Sequence, residues 1–378
     1  MKIAYIADPY SIHNAKWINL IAEKENVFLY TYPHKKEDSP ISENVNTIEI
    51  LPKTYPLLNI IKREKVLQNI RQHIKTNNIQ ILHSMYAIPF SFWGDELKIV
   101  PHIITTRGSD VLVEYAQDFQ NPKTLREHYI YPAFRKKVKK AFNNARFITS
   151  TSQKQQTVIK QFVNDSTKLK LIRTGVNTSL FNNDIDRKKS HIIYSARGLK
   201  SIYNIDIIID AFKLLLEQEE TKKYQLVLAS YPYDEEYYNF IKEKINQLNI
   251  GEKIKILPKL SNKEMIQQYY KSDMVVMVPS SDGTPVSGIE AMLSKTPLIM
   301  GNIDYDSDLF NKDTTWKTDS ISAESIKKSM VEIISSKTKT ISSKLKLANE
   351  VALKNANLES SIADIYKLYK QVLRETAE

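Results

Sequence analysis

The sequence predicts an α/β protein with two domains, each built on a parallel sheet flanked by helices. Short apolar runs alternate with helix-like segments from residue 2 onward, a pattern typical of parallel sheets. The alternation restarts after the polar stretch at residues 182–190. A chain of 378 residues also suits two domains, at about 100–200 residues per domain. We therefore expect a first domain at residues 1–185 and a second at residues 186–358.

In the first half, the predicted strands are short runs of β-branched and aromatic residues, and the predicted helices have apolar residues at a period near 3.6. Strands are expected at residues 2–7, 27–32, 79–84, 102–106, 147–151 and 170–172. Helices are expected at residues 15–23, 62–76 and 135–145, and the last two are strongly basic.

In the second half, the same patterns predict strands at residues 191–195, 225–229, 253–257, 274–278 and 297–300. Helices are expected at residues 206–216, 235–248, 263–270 and 287–293, and a long one at 358–374. No repeat of 20–50 residues is present, which excludes a solenoid. No Gly-x-Gly-x-x-Gly follows the first strand, which disfavours a dinucleotide-binding domain.

Composition excludes several classes of protein. Hydrophobic residues at 42% and charged residues at 26% are globular values, so a disordered or fibrous chain is excluded. The absence of Cys removes disulfides, thiolate zinc sites and cysteine nucleophiles, and it suits a reducing compartment. No run of 18 apolar residues occurs, and the first eight residues do not form a signal peptide. We expect a cytoplasmic protein, which still allows peripheral attachment to the inner face of a membrane.

The net charge of +11 is concentrated in one part of the chain. Residues 51–200 hold 26 Lys and Arg against 10 Asp and Glu, whereas the rest of the chain is slightly acidic. Nucleic acid, an anionic bilayer or a phosphate-bearing substrate would each account for this excess. A merely solvated basic surface is the alternative.

The most informative stretch is residues 279–292, PSSDGTPVSGIEAM, which follows a predicted strand and leads into a helix. A loop of small residues before a helix presents unpaired N–H groups and the positive end of the helix dipole, which suits a diphosphate. Asp282 and Glu290 stand eight positions apart. Because carboxylates accept hydrogen bonds and repel phosphate, they would hold hydroxyl groups here. This predicts a site for a sugar, a diphosphate and a ribose; a simple helix start after a buried strand is the alternative.

This stretch resembles the Glu-x7-Glu motif of the retaining glycosyltransferases of family 4 (group 1 type), with Asp282 in place of the first Glu and Ala-Met after Glu290. The resemblance implies the GT-B fold: two Rossmann-like domains facing a central cleft, with residues 359–378 packing back on the first. It implies that Asp282 contacts hydroxyls of the donor sugar and that Glu290 contacts the ribose of the nucleotide. The sugar and diphosphate would be held by the loop formed by Gly283, Thr284, Pro285, Val286 and Ser287.

The resemblance also covers the cations expected at the donor diphosphate. Arg197, after a predicted strand, matches the family Arg. The family Lys falls on Tyr203, so Lys200 and Arg107 are the substitutes we consider, because charge on a leaving diphosphate needs a nearby cation. Arg107 stands where relatives have a His that points at the donor. A structural role for Arg107 at the sheet edge is the alternative.

Three further residues are expected on the acceptor side. His13 lies in the first loop region. Ser84 lies at the end of a strand that resembles the family's His-x-His segment, and Asp110 lies in a segment that resembles the family's His-Gly-Ser-Asp. The remaining histidines have no metal-ligand spacing, and the resemblance implies no metal and no other cofactor.

The function implied is retaining transfer of a sugar from a nucleotide-diphosphate sugar to an acceptor hydroxyl, with Arg107, Arg197 and Asp282 as catalytic residues. The acceptor would be a glycan or a lipid-linked glycan in polysaccharide, lipopolysaccharide or glycolipid synthesis. Charge alone would hold the basic half on an anionic membrane, and no nucleic-acid partner is expected.

Two alternatives remain open at this stage. One is a catalytically silent nucleotide-sugar-binding relative, because several motif residues are replaced. The other is a basic nucleic-acid-binding protein, although no aromatic-basic recognition motif accompanies the charge.

Overall fold

The computed structural model describes residues 1–181 and 190–377. Two compact units form the chain, an N-terminal unit of Met1–Thr174 with Glu359–Glu378 and a C-terminal unit of Gly175–Leu358. The sequence-predicted boundary between residues 185 and 186 lies outside the described residues.

The N-terminal unit contains a seven-stranded sheet whose strands are all parallel. Its strands are β1 (Lys2–Ile6), β2 (Asn26–Thr31), β3 (Asn46–Glu49), β4 (Ile81–Met85), β5 (His102–Thr105), β6 (Phe147–Ser150) and β7 (Leu169–Leu171). Their spatial order is β3-β2-β1-β4-β5-β6-β7. The order reverses between β1 and β4, and ligands of open α/β sheets bind at the carboxyl ends of strands at such a point.

The helices of this unit include α1 (Ile12–Ala22), α2 (Ile60–Asn77), α3 (Phe90–Leu97), α4 (Leu125–Asn144) and α5 (Gln153–Lys160). A π-helical segment, Asp110–Tyr115, follows β5. The prediction began α1 and α4 too late, at residues 15 and 135. The Ser11 hydroxyl accepts a hydrogen bond from the Asn14 N–H at the start of α1. Thr124 and Glu127 form a capping box at the start of α4, and such caps fix helix starts independently of apolar periodicity.

The C-terminal unit contains a six-stranded parallel sheet. Its strands are β8 (Ile192–Ser195), β9 (Gln225–Ala229), β10 (Ile254–Leu257), β11 (Met274–Met277), β12 (Leu298–Met300) and β13 (Trp316–Lys317). Their order is β10-β9-β8-β11-β12-β13, so the direction of the order reverses between β8 and β11.

The helices of the C-terminal unit are α6 (Ile205–Leu215), α7 (Glu235–Gln247), α8 (Asn262–Lys271), α9 (Val286–Leu293), α10 (Ala323–Ser335) and α11 (Thr338–Asn355). Apolar side chains from the sheet and from α6 and α10 form one core on one face, and those from α9 and α11 contribute to a second core. The predicted α/β class with two parallel sheets is confirmed.

The last helix, α12 (Leu358–Ala377), belongs to the N-terminal unit from Glu359 onward. The hydroxyl of Tyr369 lies 2.7 Å from the Tyr5 hydroxyl and 2.7 Å from His83 Nδ1. All three side chains are fully buried. Buried hydrogen bonds, as well as apolar contacts, therefore hold α12 against the central strands of the sheet.

Candidate active site

The topology of the C-terminal unit places Arg197 and Asp282 at neighbouring strand ends. Arg197 follows β8 and Asp282 follows β11, and these two strands pair directly. Since β8 and β11 flank the point where the strand order reverses, both residues lie where open α/β sheets bind ligands.

Arg197 and Asp282 form an ion pair, with Arg197 Nη2 3.0 Å from Asp282 Oδ2. A second guanidinium nitrogen, Nη1, donates to Ser287 Oγ at 3.2 Å. The two charged side chains are only 18% and 16% exposed. Burial by itself would lower the pKa of Arg197, but the charge of Asp282 and the Tyr203 phenol raise it, and the net shift is upward. Arg197 is therefore a permanent, preorganised cation.

Tyr203 supports the same guanidinium from another side. The guanidinium carbon of Arg197 lies 4.1 Å from the centroid of the Tyr203 ring, a cation–π distance. Tyr203 stands at the sequence position of the family Lys, so this chain has a stacking ring where a second cation was expected. Lys200 contacts Asp234, with its Nζ 3.7 Å from Oδ1.

The loop after β11 turns sharply into α9. Asp282 Oδ1 accepts from the Gly283 N–H at 2.8 Å, and the Gly283 carbonyl accepts from the Asp306 N–H at 2.9 Å. Thr284 Oγ1 donates to Asp306 Oδ2 at 3.3 Å. Pro285 is the N-cap residue and Val286 the first residue of α9. Segment 301–310 thus holds the loop that was expected to bind the sugar and diphosphate.

Glu290 lies in α9 and accepts a hydrogen bond from the Tyr269 hydroxyl at 2.9 Å. Burial, and then the charge of Glu290, raise the pKa of Tyr269, which is fully buried. Tyr269 thus remains a hydrogen-bond donor that orients one oxygen of Glu290.

Three buried hydroxyls near these residues were missed by sequence reasoning. Tyr194, Ser195 and Tyr305 are at most 9% exposed, and their hydroxyls have no hydrogen-bond partner within the described part of the chain. Asp282 is among the charges that raise the pKa of Tyr305, after burial itself, and Glu290 acts similarly on Tyr194. Their position directly in or after predicted strands was the signal available in the sequence.

In the N-terminal unit, Arg107 follows β5 and lies among neutral groups. Its guanidinium donates to Asn14 Oδ1 at 3.2 Å, to Thr174 Oγ1 at 3.4 Å and to the His13 carbonyl at 3.3 Å. Its guanidinium carbon is 4.6 Å from the Trp17 ring centroid. Burial lowers the pKa of Arg107 to about 10. These contacts give Arg107 a structural role in joining β5 to α1.

Asp110, which was expected to contact an acceptor, is fully buried. Its carboxylate accepts from the backbone N–H groups of Ala87, Arg107, Gly108 and Val111, at distances from 2.8 to 3.3 Å. Burial raises the pKa of Asp110 and these hydrogen bonds oppose the rise. Asp110 therefore fixes the loops after β4 and β5.

Ser84, which was expected at the cleft edge of the first sheet, is also fully buried. Its Oγ donates to the Phe90 carbonyl at 3.1 Å and lies 2.8 Å from His102 Nε2. Burial lowers the pKa of His102 to about 3, so this ring is neutral. His13, by contrast, is exposed in the first turn of α1.

A carboxyl group that the sequence did not single out lies beside this region. Glu114, in the π-helical segment, accepts a hydrogen bond from the Tyr86 hydroxyl. The Tyr86 hydroxyl is also 2.9 Å from Ser109 Oγ. Burial raises the pKa of Glu114 to about 7.

The described residues contain neither a candidate metal-binding cluster nor a helix that could span a membrane. Within residues 1–181 and 190–377, no group of three or more His, Asp and Glu side chains could hold a metal ion. No helix in the same ranges is both long enough and apolar enough to cross a bilayer.

Solved structures share this architecture. A glycosyltransferase from Rickettsia africae ESF-5 superposes with a TM-score of 0.76 at 15% identity, covering 98% of each chain. Sucrose-phosphate synthase from Thermosynechococcus elongatus gives 0.75 at 16% identity over 99% of each chain. Anabaena HepE, solved with UDP-glucose, gives 0.74 at 13% identity, covering 98% of this chain and 100% of HepE. At these identities the likeness shows the fold, which is GT-B.

Family models match both units. Residues 2–152 match the model described as glycosyl transferase 4-like, and residues 176–350 match glycosyl transferases group 1. Together they cover most of the chain, which is a GT-B glycosyltransferase of group 1. No curated protein matches it significantly.

Proposed function

We propose that the protein transfers a sugar, with retention of configuration, from a nucleotide-diphosphate sugar to an acceptor hydroxyl. The observation that carries the proposal is the preorganised Arg197–Asp282 pair at the reversal of strand order, next to the helix that contains Glu290. A cation beside two carboxylates suits a ligand that has both a diphosphate and sugar hydroxyls.

In this proposal the C-terminal unit binds the donor. Arg197 contacts the diphosphate, and its side chain keeps the stack on Tyr203 while a phosphate oxygen shares its N–H donors. Asp282 accepts from a hydroxyl of the donor sugar and Glu290 from the ribose. The loop residues 283–287 surround the sugar and diphosphate, and the start of α9 contributes its dipole.

The chemical step proposed is a front-face displacement. The bond between the anomeric carbon and the diphosphate oxygen breaks, the acceptor oxygen bonds to the same face, and its proton passes to the departing diphosphate. Arg197 stabilises the negative charge that develops on the leaving group. Arg107 is the second cation proposed for this charge, the exposed His13 acts on the acceptor side, and no metal ion is required.

The acceptor in this proposal is a glycan or lipid-linked glycan of a cell-surface polysaccharide, lipopolysaccharide or glycolipid. Such an acceptor would bring the protein to the inner face of a membrane. The excess of Lys and Arg in residues 51–200 supports this peripheral docking, because each basic residue near an anionic leaflet contributes about 1 kcal/mol.

The second candidate function is a silent nucleotide-sugar-binding protein. The observation that favours it is Tyr203, which supplies an aromatic ring where a second phosphate-binding cation was expected.

One experiment separates the two functions. The protein is incubated with a panel of nucleotide sugars that includes UDP-glucose, with and without EDTA. Release of nucleotide diphosphate is measured, and NMR reports the anomeric configuration of the product. Release that is insensitive to EDTA, with a retained product, supports the proposal. Tight donor binding without release for every donor supports the silent function, and an inverted product would exclude retention.

A further inference from the structure

Three large aliphatic side chains in the N-terminal unit are exposed to solvent within four positions at the start of α2. Leu58, Ile60 and Ile61 are 87%, 66% and 85% exposed. Most of the large aliphatic residues of this unit are buried, so such a cluster is unusual for a surface that contacts only water.

The position of Ile61 shows that folding does not require it. The buried face of α2 consists of Leu67, Ile70 and Ile74. At 100° per residue, Ile61 lies on the opposite face of the helix, together with the exposed Lys65. Ile61 therefore contributes little to the core.

A second exposed apolar pair begins α4. Leu125 and Tyr129 are 81% and 82% exposed, and their spacing of four residues puts them on one stripe of the helix. Further along that stripe the exposed residues are Pro132 and Lys136.

The two apolar segments flank the same part of the unit. Arg63, in the first turn of α2, lies with its Nε 3.0 Å from Glu96 Oε2. Lys137, two turns after Tyr129 in α4, contacts the other oxygen of Glu96. The start of α2 and the middle of α4 are therefore neighbours, joined through α3.

Basic side chains surround these apolar residues. The exposed ones are Lys53, Lys62, Lys65, Lys123, Arg126, Lys136, Lys139 and Lys140. Two of the nearby acidic groups have local partners: Glu64 pairs with Arg71 at 2.6 Å, and Glu127 accepts the N–H of Thr124 at 3.1 Å. The surface thus offers apolar side chains and unbalanced positive charge together, the combination that binds the interface of an anionic bilayer.

We propose that Leu58, Ile60, Ile61, Leu125 and Tyr129 insert into the interfacial region of an anionic membrane while the neighbouring lysines and arginines contact its headgroups. This inference rests on the peripheral docking proposed above. It adds the insertion of apolar side chains to the electrostatic attraction between basic residues and anionic lipid. It differs from the expectation that charge by itself holds the protein on the membrane, and the tests below distinguish the two. A protein partner at the same surface is the competing outcome.

The first test is co-sedimentation with vesicles of phosphatidylcholine containing 30% phosphatidylglycerol, against pure phosphatidylcholine. The variants are Leu58→Ser with Ile61→Ser, and Leu125→Ser with Tyr129→Ser. The matched control is Leu347→Ser with Leu353→Ser, two leucines of α11 that are 41% and 36% exposed. We expect each N-terminal double variant to bind at least about tenfold more weakly, because each removes two large side chains whose apolar surface would leave water on insertion. The control should bind like the parent.

Salt separates this inference from the docking on which it rests. Charge contacts weaken as salt shortens the Debye length to about 8 Å and below, whereas apolar insertion does not. We expect residual binding of the parent at high salt and none for the N-terminal variants. If the parent binds only at low salt and the variants match it, the insertion is wrong and docking by charge stands. If the parent binds no vesicle at low salt, the docking itself is wrong.

A direct test of insertion uses the absence of cysteine in the chain. Ile61→Cys is labelled with an environment-sensitive fluorophore, and Leu353→Cys carries the same label as the control. Anionic vesicles should shift the emission to the blue for the label at position 61 and not for that at 353. No shift at position 61 would overturn the proposal and favour a protein partner. Binding of UDP-glucose, followed by thermal shift, reports the donor site independently of either result.

Discussion

Each unit carries an arginine and an aspartate after the strands of its sheet, and the two units hold them in opposite ways. In the C-terminal unit Arg197 and Asp282 contact each other at 3.0 Å. In the N-terminal unit the Arg107 guanidinium donates to neutral oxygens, and Asp110 accepts from backbone N–H groups. In the first pair, the charge of a bound ligand could replace the charge of either partner. The contacts of Arg107 and Asp110 cannot be replaced in this way, because they connect parts of the fold to one another.

This difference separates a binding site from a structural anchor. A carboxylate that receives four backbone N–H groups fixes the backbone that supplies them, so its removal should affect folding first. A side-chain ion pair at a ligand position should affect binding and turnover first. The following predictions test that distinction.

The largest effect is expected for Asp110→Asn. The amide can accept only with one oxygen, so buried N–H groups would lose their partner, and we expect a loss of about 3 kcal/mol or more in the free energy of unfolding. Denaturant unfolding measures it. The control is Asp118→Asn, at an exposed position; equal stability of the two variants would remove the anchoring role.

For Arg197→Ala we expect turnover to fall by ~10²–10³, as loss of one charge-stabilising donor does elsewhere. The unfolding temperature should fall as well, because the Asp282 oxygen that pairs with Arg197 is buried and would lose its cation, so turnover is expressed per folded molecule. Steady-state kinetics with the donor found in the panel measures the loss. Normal turnover would place the diphosphate elsewhere.

Arg107→Ala sharpens the comparison, because the catalytic proposal and the structural contacts predict different outcomes. If Arg107 acts on the reaction, turnover falls by ~10²–10³, and Arg107→His restores part of it. If it serves only the fold, the unfolding temperature falls while turnover per folded molecule is kept. Kinetics and calorimetry on the same preparation decide between them.

Glu290→Gln should weaken donor binding by ~1–3 kcal/mol, the range for a hydrogen bond to a charged group. The amide keeps the shape of the side chain and the contact with Tyr269, so the fold should be unaffected. Isothermal calorimetry gives the affinity. An unchanged affinity would remove Glu290 from the ribose site.

The smallest effect is expected for Glu114→Gln, and it depends on pH. Because the pKa of Glu114 is raised to about 7 in the folded protein, the folded state binds the proton more tightly than the unfolded state does. Stability is then lost as the pH rises from about 4.5 to 7. The glutamine variant should therefore unfold a few degrees higher than the parent at pH 8, on the order expected for a change near 1 kcal/mol, with a smaller gain at pH 5. An equal shift at both pH values would contradict the raised pKa.

The sequence predicted the strands better than the helix limits. Apolar runs located β1, β2, β8 and β11 within one or two residues, because a buried parallel strand is apolar on both faces. Helix α3 was missed because its eight residues are too few to establish a helical period against a short apolar run. Strand β3 was missed because it is short, polar and partly exposed at the sheet edge.

The donor-site residues were predictable because a short segment contains them. Asp282, Ser287 and Glu290 lie in one loop and helix, so the proposed donor site could be located from a local motif and its resemblance to a family pattern. Local sequence therefore determined the fold class, the alternation of elements and the loop before α9.

Tertiary structure decided what each charged group does. Arg107 and Arg197 look alike in the sequence, since each follows a strand. Their partners come from distant positions: Asn14 is 93 residues from Arg107, and Ser287 is 90 residues from Arg197. The energy of a charge depends on the groups within a few ångströms of it. Because folding alone brings those groups together, only the structure could show that one arginine has a carboxylate partner and the other has neutral ones.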